Sequence, residues 1–233
     1  MRETRWTDWP VVDAEQMREV DRVMVDELGL SLPVMMENAG RDLALLTIQR
    51  FAPRRVAVLA GGGGNGGGGL AAARHLVNRG VDVDVLQVSS DPVVATRRQI
   101  DILTAMGVAV GTDVLPQRRA DVVIDALVGY GLRGSARGQV ANAIGWCRAQ
   151  PAPVLALDVP SGFDATTGTL HHPYVRATAT LTLAALKRGL DTCTAAGELY
   201  LGDISVPAAV YSRLGLTAVP AFSEDWVVRV LTG

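Results

Sequence analysis

Cysteine is scarce in this chain: Cys147 and Cys193 are the only thiols in 233 residues, and they form no CxxC pair. That number excludes a disulfide scaffold and fits a reducing compartment. Aromatic residues make up only 5% of the chain, so the core is expected to be Val, Leu and Ala rather than a stacking platform for bases or sugars. Excess positive charge is missing too. The net charge of −2 argues against nonspecific contact with a nucleic-acid backbone, and no nucleic-acid partner is expected. Uninterrupted apolar runs of membrane-spanning length are absent, as is an apolar stretch near Met1 that would read as a signal peptide. The expectation is a soluble, cytoplasmic protein with no membrane partner.

Glycine, in contrast, is concentrated. Gly61, Gly62, Gly63 and Gly64 precede Asn65, and Gly66, Gly67, Gly68 and Gly69 follow it. The run lies between an apolar strand-like stretch at 56–60 and a helix-like one that begins at Leu70. Strand, glycine loop and helix together present free backbone N–H groups and a helix N-terminus to an anionic ligand. Eight glycines also weaken the fold, at roughly 0.4–1 kcal/mol each relative to Ala, which is a large cost for a mere connector. A GxGxxG match in glycine this dense carries no information. The second strand ends in Gln87, Val88, Ser89 and Ser90 without the acid that a dinucleotide fold places there, and no Gly-Lys-Ser/Thr makes a P-loop.

Periodicity organises the rest. Asp13 caps a helix whose apolar face is Met17, Val20, Val23, Met24 and Leu28, and a second helix starts at Pro33 and runs to about Phe51. Strands are expected over 56–60, 81–88, 108–114, 122–127, 154–159, 179–184 and 199–206, with helices over 70–79, 92–106 and 138–149. This alternation predicts an α/β fold, a Rossmann-like three-layer α/β/α sandwich with a mainly parallel central sheet. The strands after Asp158 follow one another with little helix between them, which implies an antiparallel or mixed edge. One domain is expected over 1–233, with helices in 1–50 packed on a core at 54–233.

Ligands of such sheets sit beyond the strand C-termini. Two strands there share a design: Asp125 in an apolar strand ahead of Gly129, Tyr130, Gly131, Leu132, Arg133 and Gly134, and Asp158 ahead of Val159, Pro160, Ser161 and Gly162. An acid in a strand of Val, Ile, Ala and Leu needs a partner, either backbone N–H groups of the next turn or a cation. Asn65, Asp125 and Ser161 would offer three hard oxygens, the donor type of Mg²⁺, Ca²⁺ or an alkali cation rather than zinc. Lys187 follows another apolar strand at the same rim, either as a functional ammonium or as a surface lysine. His171 and His172 read as exposed loop residues.

These segments, in order, resemble the NAD(P)H-hydrate epimerase family, the YjeF N-terminal domain. The blocks are Val12 to Asp21, the MENAGR-like stretch Met36-Glu37-Asn38-Ala39-Gly40-Arg41, the glycine run, Asp125 to Gly134, Asp158 to Gly162, Leu186 to Leu190 and Gly197 to Ile204. The resemblance implies an isomerase, commonly a homodimer, that epimerises C6 of hydrated NADH or NADPH in the repair of nicotinamide nucleotides. It also implies a bound potassium ion (K+) with Asn65, Asp125 and Ser161 as ligands. Gly64, Asn65, Gly66, Gly67 and Gly68, with Gly129, Tyr130, Gly131, Leu132, Arg133, Gly134 and Ser135, would line the substrate's phosphates and ring. Asp158 would stand beside the reacting carbon as the catalytic carboxylate, with Lys187 stabilising charge. The chain departs from the family pattern at Gly62, which replaces a proline, at Gly64 and Gly68, which replace an Asn and an Asp, and at Tyr130, which replaces a Thr. The changes at Gly64, Gly68 and Tyr130 motivate the alternative of a non-catalytic ligand-binding or scaffold module. A related isomerase or hydrolase acting on another nucleotide is a third reading.

Overall fold

The computed structural model describes residues 1–112, 115–216 and 222–232. In chain order the strands and helices are β1 (Glu3–Arg5), β2 (Val11–Val12), α1 (Ala14–Arg22), α2 (Leu32–Phe51), β3 (Arg55–Ala60), α3 (Gly64–Val77), β4 (Asp82–Gln87), α4 (Val94–Ala105) and β5 (Val110–Gly111). They continue with β6 (Val122–Ala126), α5 (Gly138–Ala149), β7 (Val154–Leu157), β8 (Phe163–Asp164), β9 (Thr169–Leu170), β10 (Ala179–Leu183), β11 (Leu186–Lys187), β12 (Glu198–Gly202), α6 (Ala208–Arg213) and β13 (Val227–Leu231).

Nine strands form one sheet in the order β1-β13-β12-β10-β7-β6-β3-β4-β5, and every pairing is parallel except β12 with β13. The α/β fold with a mainly parallel sheet is therefore as expected, and so is the mixed edge. That edge holds a surprise, because β10 and β12 run parallel without a helix between them. The chain crosses back through β11 and an irregular segment instead. Two further strands, β1 and β13, escaped the sequence reading; β1 is three residues long and polar, so no alternation marks it.

The pleat sorts side chains into two layers. Val56, Val58 and Ala60 of β3 join Leu43, Leu46, Leu70, Leu76 and Leu103 from α2, α3 and α4 on one face. Ala57 and Leu59, the alternate residues, meet Ala143, Ile144 and Cys147 of α5 on the other. Beyond α5 that second face is covered by Trp9, Phe163, Leu186 and Leu190, mostly from irregular segments. A third cluster joins α1, the start of α2 and α6 through Met17, Val20, Met24, Met35 and Tyr211.

Local signals account for the helix starts. Asp13 accepts from the backbone N of Glu15 and Gln16, at 3.0 and 2.9 Å, while Gln16 returns a bond to the Asp13 N–H, a reciprocal cap worth about 1 kcal/mol. After Arg22 the helix widens into a π-type turn over Val23–Glu27. Pro33 sits in the first turn of α2, where its missing N–H costs nothing.

The glycine run is the main correction. Only Gly61, Gly62 and Gly63 are loop; α3 starts at Gly64, so six residues expected in the loop are helical. Close packing explains this. A Cβ on Gly66 would lie 1.8 Å from the Gly61 carbonyl oxygen, and one on Gly69 would lie 2.4 Å from Cβ of Ala126 in β6. The helix end approaches the sheet within a distance that only glycine allows. Strand boundaries shift less: the strand expected over 108–114 shrinks to β5, with 113–114 outside the described residues, and the one over 199–206 ends at Gly202.

Candidate functional site

β3, β6, β7 and β10 are parallel neighbours, so their C-termini share one rim. A cavity of about 680 Å³ opens there. Gly61, Gly62, Gly63, Gly64, Asn65 and Gly68 form one wall, Gly129, Tyr130 and Gly131 another, and Asp158 with Lys187 lies at the base. Gly66 and Gly67 do not line it. Gly66 packs on Gly61, and Gly67 packs on Met36 and Thr96, so the missing side chain at each serves helix placement. The N–H of Gly67 already bonds Gly63 O at 3.1 Å, which leaves the first three N–H groups of α3 for an anion.

Asp158 follows β7 with φ +69°, a left-handed conformation that costs a non-glycine residue roughly 1–2 kcal/mol. The chain holds it there: its N–H bonds Leu181 O at 2.7 Å. Its Oδ2 accepts from the backbone N of Tyr130 at 2.8 Å, and its Oδ1 lies 2.6 Å from Lys187 Nζ in an ion contact. Lys187 is no surface lysine. It is fully buried on β11 and also donates to Leu183 O at 2.6 Å and Ala185 O at 3.1 Å. The pair puts a carboxylate and an ammonium, each held from a second side, at the base of the cavity.

Asp125 and Ser161 meet beneath the rim. Ser161 donates to Asp125 through its Oγ at 2.6 Å and through its backbone N at 2.8 Å, and Leu127 N adds a contact at 3.2 Å. These partners are neutral, and full burial pushes the Asp125 carboxyl up to about 6. Ser161 Oγ also accepts from Val128 N at 3.0 Å, while a Cβ on the next residue, Gly129, would lie 3.2 Å from Oδ1 of Asn65. The three oxygen-bearing side chains therefore converge on the 127–129 segment. Asn65 Nδ2 is buried without a partner, and turning that amide over would offer its oxygen instead. A buried carboxylate without a cationic partner, a hydroxyl and an orphaned amide fit a monovalent cation. No group of three or more His, Cys, Asp or Glu suited to a metal occurs among the described residues.

Leu132, Arg133, Gly134 and Ser135 line a second, shallower cavity of about 450 Å³, together with Arg137. It shares Val128 and Val140 with the first, so the two adjoin. His172 is exposed, and His171 is half-buried 3.5 Å from Asp164, away from both cavities.

Sequence reading missed the contribution of the N-terminal helices: Met17, Arg18 and Asp21 of α1 and Met35, Met36 and Ala39 of α2 complete the main cavity. A signal existed. Asp21 follows Met17 by one helical turn and so lies on the apolar face, an unexpected place for an acid. Tyr130 Oη donates to Asp21 Oδ2 at 2.5 Å. Burial raises the Asp21 carboxyl above its ordinary value; the Tyr130 hydrogen bond and the Lys187 charge oppose that rise, and Asp158 adds to it.

Known proteins share this arrangement of sequence and fold. The family described as "YjeF-related protein N-terminus" matches residues 33–189. A protein of Dehalogenimonas lykanthroporepellens named NAD(P)H-hydrate epimerase is 48% identical over 221 residues, covering 92% of this chain and 90% of its own. A Weissella koreensis protein of the same name is 35% identical over 201 residues, covering 84% and 91%. The crystal structure of yeast ynu0 aligns with a TM-score of 0.83 over 94% of this chain and 99% of its own, at 23% identity, which speaks to the fold. With more than half its length matched and relatives aligned almost end to end, the chain belongs to the YjeF-related N-terminal family.

Proposed function

We propose that this protein is an NAD(P)H-hydrate epimerase, interconverting the R and S forms of hydrated NADH and NADPH. The observation that carries the reading is the Asp158–Lys187 pair at the base of the rim cavity, in a chain 48% identical to a relative of that name. C6 of the hydrate is a hemiaminal carbon. Inverting it requires the hydroxyl to leave and return, or the ring to open and close, and each route moves a proton. A positioned carboxylate supplies that transfer, typically for roughly 10²–10⁴-fold in rate.

Asp158 is the catalytic carboxylate in this reading, and Lys187 balances charge beside it. The first turn of α3 and the Gly129–Gly131 turn face the dinucleotide, while the adjoining cavity with Ser135, Arg133 and Arg137 suits phosphate oxygens. Asn65, Asp125 and Ser161 would hold a potassium ion, whose charge would neutralise the buried carboxylate and fix the 127–129 segment. Gly64 leaves the wall open where a side chain stood in the resembled pattern, whereas a Cβ on Gly68 would lie 2.9 Å from Leu157 Cδ2; the backbone donors of the first turn remain. The reading extends to a homodimer in the cytoplasm, where Cys147 and Cys193 would stay unpaired.

Incubating the purified protein with the R hydrate in potassium buffer is expected to accelerate its conversion to S, followed by chiral separation. Asp158→Asn is expected to remove the acceleration. Conversion at the spontaneous rate with the unaltered protein would overturn the assignment.

A further inference from the structure

Asp158 has its carboxylate gripped from two sides, and only one grip is accounted for by the ion pair. The other is the backbone N–H of Tyr130, 2.8 Å from Oδ2. Tyr130 stands between Gly129 and Gly131, in a turn closed by one long backbone bond, Leu132 N to Gly129 O at 3.3 Å. A glycine-flanked turn of this kind does not fix the direction of an N–H by itself. The Val128 N–H bond to Ser161 Oγ at 3.0 Å pins the chain two residues earlier, and the Tyr130 side chain adds an anchor at the turn itself. The ring is half-buried against the clusters that join α1, α2 and α6 and that cover the second sheet face, and its hydroxyl reaches Asp21 on α1 at 2.5 Å. One connected chain of contacts results: the phenol donates to Asp21, the N–H of the same residue donates to Asp158 Oδ2, and Lys187 meets Oδ1. Arg18 from α1, Lys187 from β11 and Asp158 after β7 are the charged groups around this chain.

We propose that Asp21 and Tyr130 are positioning residues, whose side-chain hydrogen bond sets the orientation of the Asp158 carboxylate from the N-terminal helix. The inference rests on the epimerase reading for its kinetic consequence, but not for its geometry. It assigns a role to the first helix, outside the strand-end loops that carry the rest of the site. It also makes Tyr130 a replacement for a shorter side chain that adds a tether.

The test uses the full chain with Tyr130→Phe, Asp21→Asn, Asp21→Ala and the Asp21→Ala/Tyr130→Phe double variant. Four quantities are read: kcat and KM for the R hydrate, the melting temperature, and the Asp158 ¹³Cγ resonance in aspartate-labelled protein. Phe keeps the ring and its packing, so Tyr130→Phe is expected to retain KM and the melting transition while kcat falls by up to about a hundredfold, the scale of a misplaced reacting group. Asp21→Ala is expected to match it, and the double variant to be no worse than either single. Asp21→Asn, which keeps an acceptor oxygen, is expected to recover much of the rate. The Asp158 resonance is expected to move in Tyr130→Phe and Asp21→Ala and to return in Asp21→Asn. Unchanged kcat with an unmoved resonance overturns the proposal, and so do losses that simply add in the double variant. Absence of turnover in the unaltered protein overturns the epimerase reading alone; the resonance then decides, supporting the positioning role if it moves and overturning it if it does not.

Discussion

Buried charge is handled in three ways in this protein, and the contrast separates function from structure. Lys187 and Asp158 neutralise one another, and each keeps a further backbone partner. Removing either would leave the other buried and unpaired, typically a loss of about 3–5 kcal/mol, so activity lost in such variants must be separated from fold lost. Asp125 is satisfied by neutral donors at a place where a cation fits. Asp42 on α2 has half a solution, a partly exposed arginine on one oxygen alone. It is fully buried, its Oδ1 meets Arg41 at 3.2 Å, and its Oδ2 has no partner. Desolvation pushes its carboxyl up to about 7 against the opposing charge of Arg41. The folded state therefore holds a proton that the unfolded chain, with a carboxyl near 3.8, releases earlier. Stability from this group is full below about 4 and is lost as pH rises through about 7. Asp42→Asn is accordingly expected to raise the melting temperature relative to the parent at pH 8 more than at pH 5, as measured by circular dichroism melts. An equal shift at both pH values would contradict it.

Among the elements, α3 is the one whose composition and role disagree most. Glycine lowers helix stability by about 1 kcal/mol per residue relative to Ala, yet most residues of its first two turns are Gly. The residues differ sharply in what surrounds them. A Cβ on Gly64 would meet only Leu32 Cδ1, at 3.7 Å, whereas one on Gly66 would enter the Gly61 backbone. Gly64→Ala is expected to stabilise the protein by about 0.5–1 kcal/mol in urea titrations, through propensity and unfolded-state entropy. Gly66→Ala is expected to destabilise it severely, because backbone cannot move aside as a side-chain tip can. Two similar values in the titration would show that the glycines are interchangeable. The sequence made the strand before this helix and the helix after it legible, through unbroken apolar runs. It did not reveal where the helix began, since a glycine run has no periodicity to read. The first and last strands were hidden for a related reason: β1 at the edge and β13 beside it take their places from pairing partners far away in sequence.

At the scale of the whole molecule, one sheet orientation gathers the site, because parallel β3, β6, β7 and β10 deliver their following loops to the same rim. The N-terminal helices then roof it, and potassium would fasten the floor. Exchanging potassium for a large organic cation at constant ionic strength is expected to lower the melting temperature of the unaltered protein and to leave Asp125→Asn unaffected, with sedimentation equilibrium reporting a dimer of chains throughout. An unaltered melt, or a monomer, would remove the corresponding part of the proposal. The sequence by itself determined the fold class and the rim residues. Alternating apolar runs dictate strands and helices, and an acid at the end of an apolar strand declares itself by being out of place. It also exposed the family through blocks in order. Only the tertiary structure decided that Lys187 is buried against Asp158, that Gly66 and Gly67 serve packing, and that Asp21 and Tyr130 meet. Each of those depends on which distant surfaces come within a few ångströms, a property of packing that no local pattern of residues encodes.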